Sequence, residues 1–170
     1  MEHPVERRSF IKLTLVGSGL LALKPFLSAS HAFATNEPIT NIIKTEAEWK
    51  KILTPQQFDI LRHEGTETPF SSPLNHEKRT GIFACVACAL PLFPSQFKFD
   101  SGTGWPSFFD VIPGHIQTKT DKSLLMVRTE YHCARCNGHH GHLFDDGPEP
   151  TGLRYCSNGA ALTFIPGKKS

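Results

Sequence analysis

Five cysteines and a short run of histidines are the residues with the most chemistry in this chain. Cys85 and Cys88 stand in F-A-C-V-A-C-A, Cys133 and Cys136 in Y-H-C-A-R-C-N, and Cys156 alone in L-R-Y-C-S-N-G. Two C-x-x-C pairs brought together by a fold supply four thiolates, the closed tetrahedral set that a structural Zn²⁺ prefers. The 44 residues between the pairs exceed the span of a compact zinc ribbon, so a metal here would tie two distant parts of one domain together. Two disulfides, or two redox-active C-x-x-C pairs, are the competing readings. His132 directly precedes Cys133, but four Cys complete a tetrahedral set and the imidazole is expected to pack nearby.

With four thiols assigned to a metal, Cys156 is an odd Cys left over and a candidate nucleophile. It follows Arg154 and precedes Asn158, and a guanidinium beside a thiol favours the thiolate. A buried, inert Cys is the competing reading. Asn137-Gly138-His139-His140-Gly141-His142 places three imidazoles directly after the second pair, where a metal would fix their position. His139 and His142 can deliver a proton to a leaving oxygen or stabilise a thiolate, or form a second metal site at i, i+3. His140 is expected to be a packing residue. A third segment, Asp100-Ser101-Gly102-Thr103-Gly104-Trp105-Pro106-Ser107-Phe108, allows a sharp loop and presents a rigid aromatic face. Trp105 suits a small apolar group such as a methyl or thioether, and a plain core Trp would also account for it.

The elements that must position these residues begin after a leader. Residues 1–34 carry Arg7-Arg8-Ser9-Phe10-Ile11-Lys12, an apolar stretch from Leu13 to Leu23, and Ala32-Phe33-Ala34. Together these make a twin-arginine signal peptide with a small-x-small cleavage site. The apolar run is about half the roughly 20 residues a spanning helix needs, so a cleaved signal and a periplasmic location are expected rather than an anchor. A route that carries folded proteins suits a domain whose thiolates must bind metal before meeting an oxidising compartment.

Removing the four basic and two acidic residues of 1–34 from the chain's 18 and 16 leaves 14 of each. This neutral remainder without a basic stripe argues against nucleic acid as partner. At 170 residues with 39% hydrophobic and 20% charged, residues 35–170 read as one globular domain. Thr45-Glu46-Ala47-Glu48 and Thr54-Pro55-Gln56-Gln57 are helix-starting boxes, with Trp49, Ile52, Phe58, Ile60 and Leu61 following and Gly65 closing the second helix. Residues 66–80 read as an extended loop laid over the domain. Short strands are predicted at 82–83, 96–99, 108–112, 115–120, 123–132 and 160–165. The fold class is mainly β and antiparallel, with a short N-terminal helical extension.

The segments G-I-F-A-C-V-A-C, F-D-S-G-T-G-W-P-S-F, H-C-x-x-C, H-H-G-H-L-F-D-D-G-P and L-R-Y-C-S-N-G-A-A-L together resemble the B-type methionine sulfoxide reductases. These enzymes reduce the R epimer of peptide-bound methionine sulfoxide. The resemblance runs from about Trp49 to Pro166. It implies two antiparallel sheets and one structural zinc, held by Cys85, Cys88, Cys133 and Cys136, remote from the chemistry. It implies Cys156 as nucleophile passing through a sulfenic acid, and His142 and His139 as proton-handling and substrate-orienting residues. Asn158 matches the family's active-site Asn, Arg154 the residue that helps keep the thiol ionised, and Trp105 the wall for the sulfoxide methyl. Asp146 fits a supporting role, holding a His by hydrogen bonding.

Many members carry a resolving Cys where this chain has Thr103. No Cys remains for that task, so an external thiol, thioredoxin-like or other, is expected to reduce the sulfenic acid. The expected partners are oxidised proteins or peptides, with no nucleic acid, no stable membrane association after cleavage, and a monomeric chain. A zinc-stabilised binding module with an inert Cys156, and a metallohydrolase using His139 and His142, are the competing functions.

Overall fold

The helix-starting residues act as their types dictate. In the computed structural model, which describes residues 38–122 and 127–168, Thr45 and Thr54 each cap a helix reciprocally. Glu48 N–H donates to Thr45 Oγ1 at 3.3 Å while Thr45 N–H donates to Glu48 Oε2 at 2.7 Å; Gln57 and Thr54 repeat the exchange at 3.2 and 3.0 Å. These boxes open α1 (Glu46–Ile52) and α2 (Pro55–His63). Trp49, Phe58, Ile60 and Leu61 are buried, and the Arg62 guanidinium lies 4.8 Å over the Trp49 ring. The left-handed residue ending α2 is Glu64 (φ 58°), one position before the expected Gly65. The proposed leader lies outside the described residues.

Nine strands are found among the described residues: β1 (Gly81–Cys85), β2 (Pro91–Pro94), β3 (Lys98–Phe99), β4 (Ser107–Phe108), β5 (Ile116–Asp121), β6 (Arg128–Cys133), β7 (His139–Phe144), β8 (Arg154–Ser157) and β9 (Leu162–Pro166). They form two antiparallel sheets, one ordered β2-β1-β9 and the other β3-β4-β8-β7-β6-β5. The mainly-β, two-sheet expectation with helices on the N-terminal side holds. Three strands were not foreseen: β2, whose two Pro residues disguise it, and β7 and β8, whose residues read as chemistry rather than as strand. Within the range expected as one strand at 123–132, the described strand begins at Arg128. The strand expected at 108–112 is only the end of β4.

The two faces of the larger sheet differ in kind. Directly opposed residues of an antiparallel pair share a face, so Tyr131↔Gly141, Leu143↔Tyr155 and Phe108↔Tyr155 define the core side. There Phe93 of the smaller sheet stacks on Phe108 (centroids 4.1 Å, 6°), Phe83 meets Phe108 edge-on at 5.0 Å, and Tyr155 meets Tyr131 at 5.6 Å. Asp121↔Arg128, Lys119↔Glu130, Glu130↔His142, His142↔Cys156 and Ser107↔Cys156 make a polar row on the opposite face.

The aromatic core sets the stability. Phe93 is fully buried between both sheets, so Phe93→Ala should cost about 3–5 kcal/mol. In denaturant unfolding the midpoint should fall with an unchanged slope.

Candidate active site

Cys85 ends β1 and Cys133 ends β6, and each is followed by the same turn. Ala89 N–H donates to Cys85 O at 2.8 Å and Asn137 N–H to Cys133 O at 2.9 Å, with Ala89 and Asn137 left-handed (φ 57° and 58°). The two turns bring all four sulfurs within 4.8 Å of one another. Cys85–Cys136 are 3.6 Å apart and Cys88–Cys133 3.5 Å. A disulfide would require about 2.05 Å. The edge of a tetrahedron of sulfurs around Zn²⁺ is about 3.8 Å, taking Zn–S as ~2.3 Å. The donor set and spacing thus fit a tetrahedral metal. His132 is not among the clustered donors; its Nδ1 lies 3.8 Å from Glu130 Oε2.

Cys156, half-buried and outside this cluster, lies in a cleft of about 130 Å³ whose walls include Trp105, Arg128, His142, Phe144 and Asn158. Burial pushes its thiol up, opposed by the charge and hydrogen bond of Arg154 and by the Thr103 hydroxyl. Arg154 is itself held in place. Its guanidinium donates to both oxygens of Asp146 at 2.7 and 2.8 Å and lies 4.2 Å over the Phe144 ring. Gly141 (φ 155°) permits β7 to pass close behind the nucleophile, since a Cβ there would stand 1.9 Å from Cys156 O.

Asn158 reaches the cleft wall with its amide already engaged. Its Nδ2 donates to His140 O at 3.1 Å and its Oδ1 accepts from Glu67 N–H at 2.9 Å. Glu67 is the hub of this side. Its buried carboxylate accepts from Gly159 N–H at 2.6 Å and Ala160 N–H at 2.8 Å, and its carbonyl accepts from Trp105 Nε1–H at 3.1 Å. One residue of the 66–80 loop therefore fixes Trp105, Asn158 and the backbone just after Cys156. Nothing in the sequence but an acidic residue in a polar loop announced it.

The histidines divide. His142 lines the cleft, and its Nε2–H donates to Asp121 Oδ2 at 2.8 Å. His139 is buried, does not line that cleft, and donates from Nδ1–H to Glu130 Oε1 at 2.8 Å. Their ring centroids are 5.5 Å apart. His140 turns to the core against Tyr131, and burial pushes it down to about 3, so it is a neutral packing residue. Asp146, expected to orient a His, instead spends both oxygens on Arg154. The carboxylates that hold imidazoles are Asp121 and Glu130, because β6 lies beside β7 and β5 lies next beyond β6, whereas Asp146 lies beyond the end of β7. His139 and His142 are not clustered as a second set of metal donors among the described residues.

Against known sequences, residues 53–166 match the SelR domain. A peptide methionine sulfoxide reductase MsrB of Methanosarcina barkeri is 53% identical over 122 residues, covering 71% of this chain and 86% of that protein. Proteins of the same name from Agrobacterium fabrum and Thiobacillus denitrificans are 51% and 49% identical, over 72% and 78% of this chain and 92% and 98% of theirs.

The balance of effects on Cys156 is measurable. Arg154→Met removes the cation that favours its thiolate, so the pH midpoint for alkylation of Cys156 by iodoacetamide should move up. Thr103→Val should move it in the same direction.

Proposed function

Because the chain belongs to the SelR-domain family, that of the B-type methionine sulfoxide reductases, we propose that it reduces peptide-bound methionine-R-sulfoxide to methionine with Cys156 as nucleophile. The observation that carries this reading is one thiol outside the four-Cys cluster. It sits in a cleft between an indole and an imidazole, directly across the strand pair from His142.

The chemistry follows from the balance of atoms. The Cys156 thiolate attacks the sulfoxide sulfur. Thiolate, sulfoxide and one proton then give thioether and Cys156 sulfenic acid, with Cys156 oxidised by two electrons and the substrate sulfur reduced by two. Trp105 packs against the substrate methyl, and its indole is already oriented by Glu67. His142 gives the proton to the departing oxygen, and Asp121 sets its tautomer with the proton on Nε2. Arg154 favours the thiolate that begins the step. Asn158 shapes the wall beside the nucleophile through its bonds to residues 67 and 140.

Thr103 stands beside the thiol and the other four Cys are clustered, so the sulfenic acid is reduced by an external thiol. A first thiol forms a mixed disulfide and releases water; a second releases Cys156. Cys85, Cys88, Cys133 and Cys136 would hold one Zn²⁺, which would join the sheets and take no part in the reaction. Residues 1–34 direct export to the periplasm by the twin-arginine route. The mature chain acts there as a monomer on oxidised proteins or peptides, without nucleic acid. No helix among the described residues is long and apolar enough to cross a membrane.

Purified protein with dithiothreitol should reduce the R epimer of a methionine sulfoxide peptide and leave the S epimer intact. No turnover of the R epimer would sink the reading. Cys156→Ser should lose turnover while keeping one metal per chain, and one equivalent of substrate without reductant should leave a dimedone-reactive Cys156. In cell fractionation, changing both Arg7 and Arg8 to Lys should hold the protein in the cytoplasm.

A further inference from the structure

His139 and His142 are adjacent, yet they border different spaces. The reaction cleft is lined by His142, while His139 lines a second cavity of about 120 Å³ that shares no wall residue with the first. The second cavity is polar, bordered by Arg62, Glu64, Lys119, Glu130 and His132 together with His139. Between the two cavities stand the two imidazole rings, 5.5 Å apart and edge-to-face, with no hydrogen bond between them, so that a proton passing from one to the other needs a bridging water.

Glu130 is the odd member of this group. It is a carboxylate only 2% exposed, with Oε1 at 2.8 Å from His139 Nδ1 and Oε2 at 3.1 Å from Lys119 Nζ. A buried ion pair is replaceable by apolar residues at little cost to stability, and often with a gain, so stability alone is a poor reason for it. The Lys119 end lies at the cavity mouth, half-exposed and also paired with Glu64. The His139 end presents a buried Nε2 with no hydrogen-bond partner among the described residues. The chain Lys119–Glu130–His139 thus runs from solvent to the back of His142, crossing β5, β6 and β7 on the polar face.

We propose that Glu130 is a positioning residue of the reductase reaction: it holds the His139 ring through Nδ1–H and favours its imidazolium, which gives its Nε2 proton through a water to His142 once His142 has protonated the sulfoxide oxygen, and regains a proton from the second cavity. This rests on the reductase reading above. Each turnover consumes one proton at the cleft, and the cleft is filled by substrate when the proton is needed. A supply from the far side of the imidazole pair keeps the donor charged without opening the cleft. The charged and titratable groups facing His139 are Glu130 and His132 of β6, Lys119 and Asp121 of β5, Arg62 and Glu64 at the end of α2, and His142 on its own strand. Burial pushes His139 down and Glu130 opposes it. Burial pushes Glu130 up, but its bonds to His139 and Lys119 outweigh this and hold it below the ordinary carboxylate range.

Two variants test the proposal because their effects have opposite sign. Glu130→Gln keeps the shape and removes the charge that helps His139 hold a proton. With metal content and circular dichroism unchanged, kcat should fall on the order of 10²-fold with little change in KM, and the alkaline limb of the kcat–pH profile should move to lower pH. Glu130→Asp should recover part of kcat. Lys119→Gln, at an exposed position that does not endanger folding, removes the opposing charge and should move the same limb to higher pH. The NMR titration of the His139 ring in substrate-free protein should shift in the same two directions. Limbs that stay in place in both variants, or that move together, would overturn the role of Glu130 while wild-type turnover keeps the reductase reading intact. Absence of wild-type turnover would remove that reading instead, and the substrate-free ring titration tells the two failures apart.

Discussion

Four sulfurs gathered within 4.8 Å are the constraint on which the rest of this molecule hangs. Four thiolates at that spacing repel one another strongly, and four thiols offer one another only weak hydrogen bonds, so the arrangement calls for a cation. Cys85 closes a strand of the smaller sheet and Cys133 a strand of the larger one, so whatever joins the sulfurs joins the sheets at one end. The turn through Cys136 also sets where the next strand begins. Its carbonyl accepts from Arg62 Nη1 at 3.0 Å, which ties α2 to the same point, and three residues later β7 starts with His139. The position of the imidazoles is therefore inherited from the cluster, although no sulfur of the cluster approaches the cleft.

A single register shift completes the placement. Tyr131 pairs with Gly141 but His132 pairs with His139, leaving His140 as an extra residue. A regular strand would put residues 139 and 142 on opposite faces. The one-residue bulge puts both on the polar face with Glu130 and turns His140 inward onto Tyr131. Gly141 answers the second requirement, since β8 passes so close there that no side chain fits. The order H-H-G-H is thus a packing solution: two imidazoles on the polar face, one in the core, and a glycine where the strand of Cys156 lies against them.

Much of this was legible in the sequence because it depends on residue type and local spacing. The capping boxes at Thr45 and Thr54, the two C-x-x-C turns and the isolation of Cys156 are all local facts. What stayed hidden depends on which strands lie side by side. Glu67, Asp121 and Glu130 look like ordinary acidic residues in polar stretches, and only the β5–β6–β7 order gives two of them an imidazole. Strands β7 and β8 were missed for a related reason. Their outward positions carry His, Arg and Cys, so the apolar alternation that identifies a half-buried strand is overwritten by the site. The resemblance gives Asp146 a role in holding a His, but the chain leaves the sheet after Phe144 and Asp146 bonds Arg154 instead.

That pairing bears on how the nucleophile rests. Arg154 favours the Cys156 thiolate, but Asp146, which holds the guanidinium in place, disfavours it, and burial disfavours it more. The resting balance leans toward the thiol, the form that reacts poorly with oxidants. For a nucleophile with no second Cys beside it, this is a consistent arrangement. A sulfenic acid formed without substrate would have no internal partner to return it to the thiol, and further oxidation would be irreversible. Ionisation is then best confined to the moment when a sulfoxide fills the cleft and excludes water. Arg154 and the Thr103 hydroxyl then act on the sulfur with less screening. Thr103 thus has two consequences at one position: it offers the nucleophile no second thiol, and it supplies a hydroxyl that favours the thiolate.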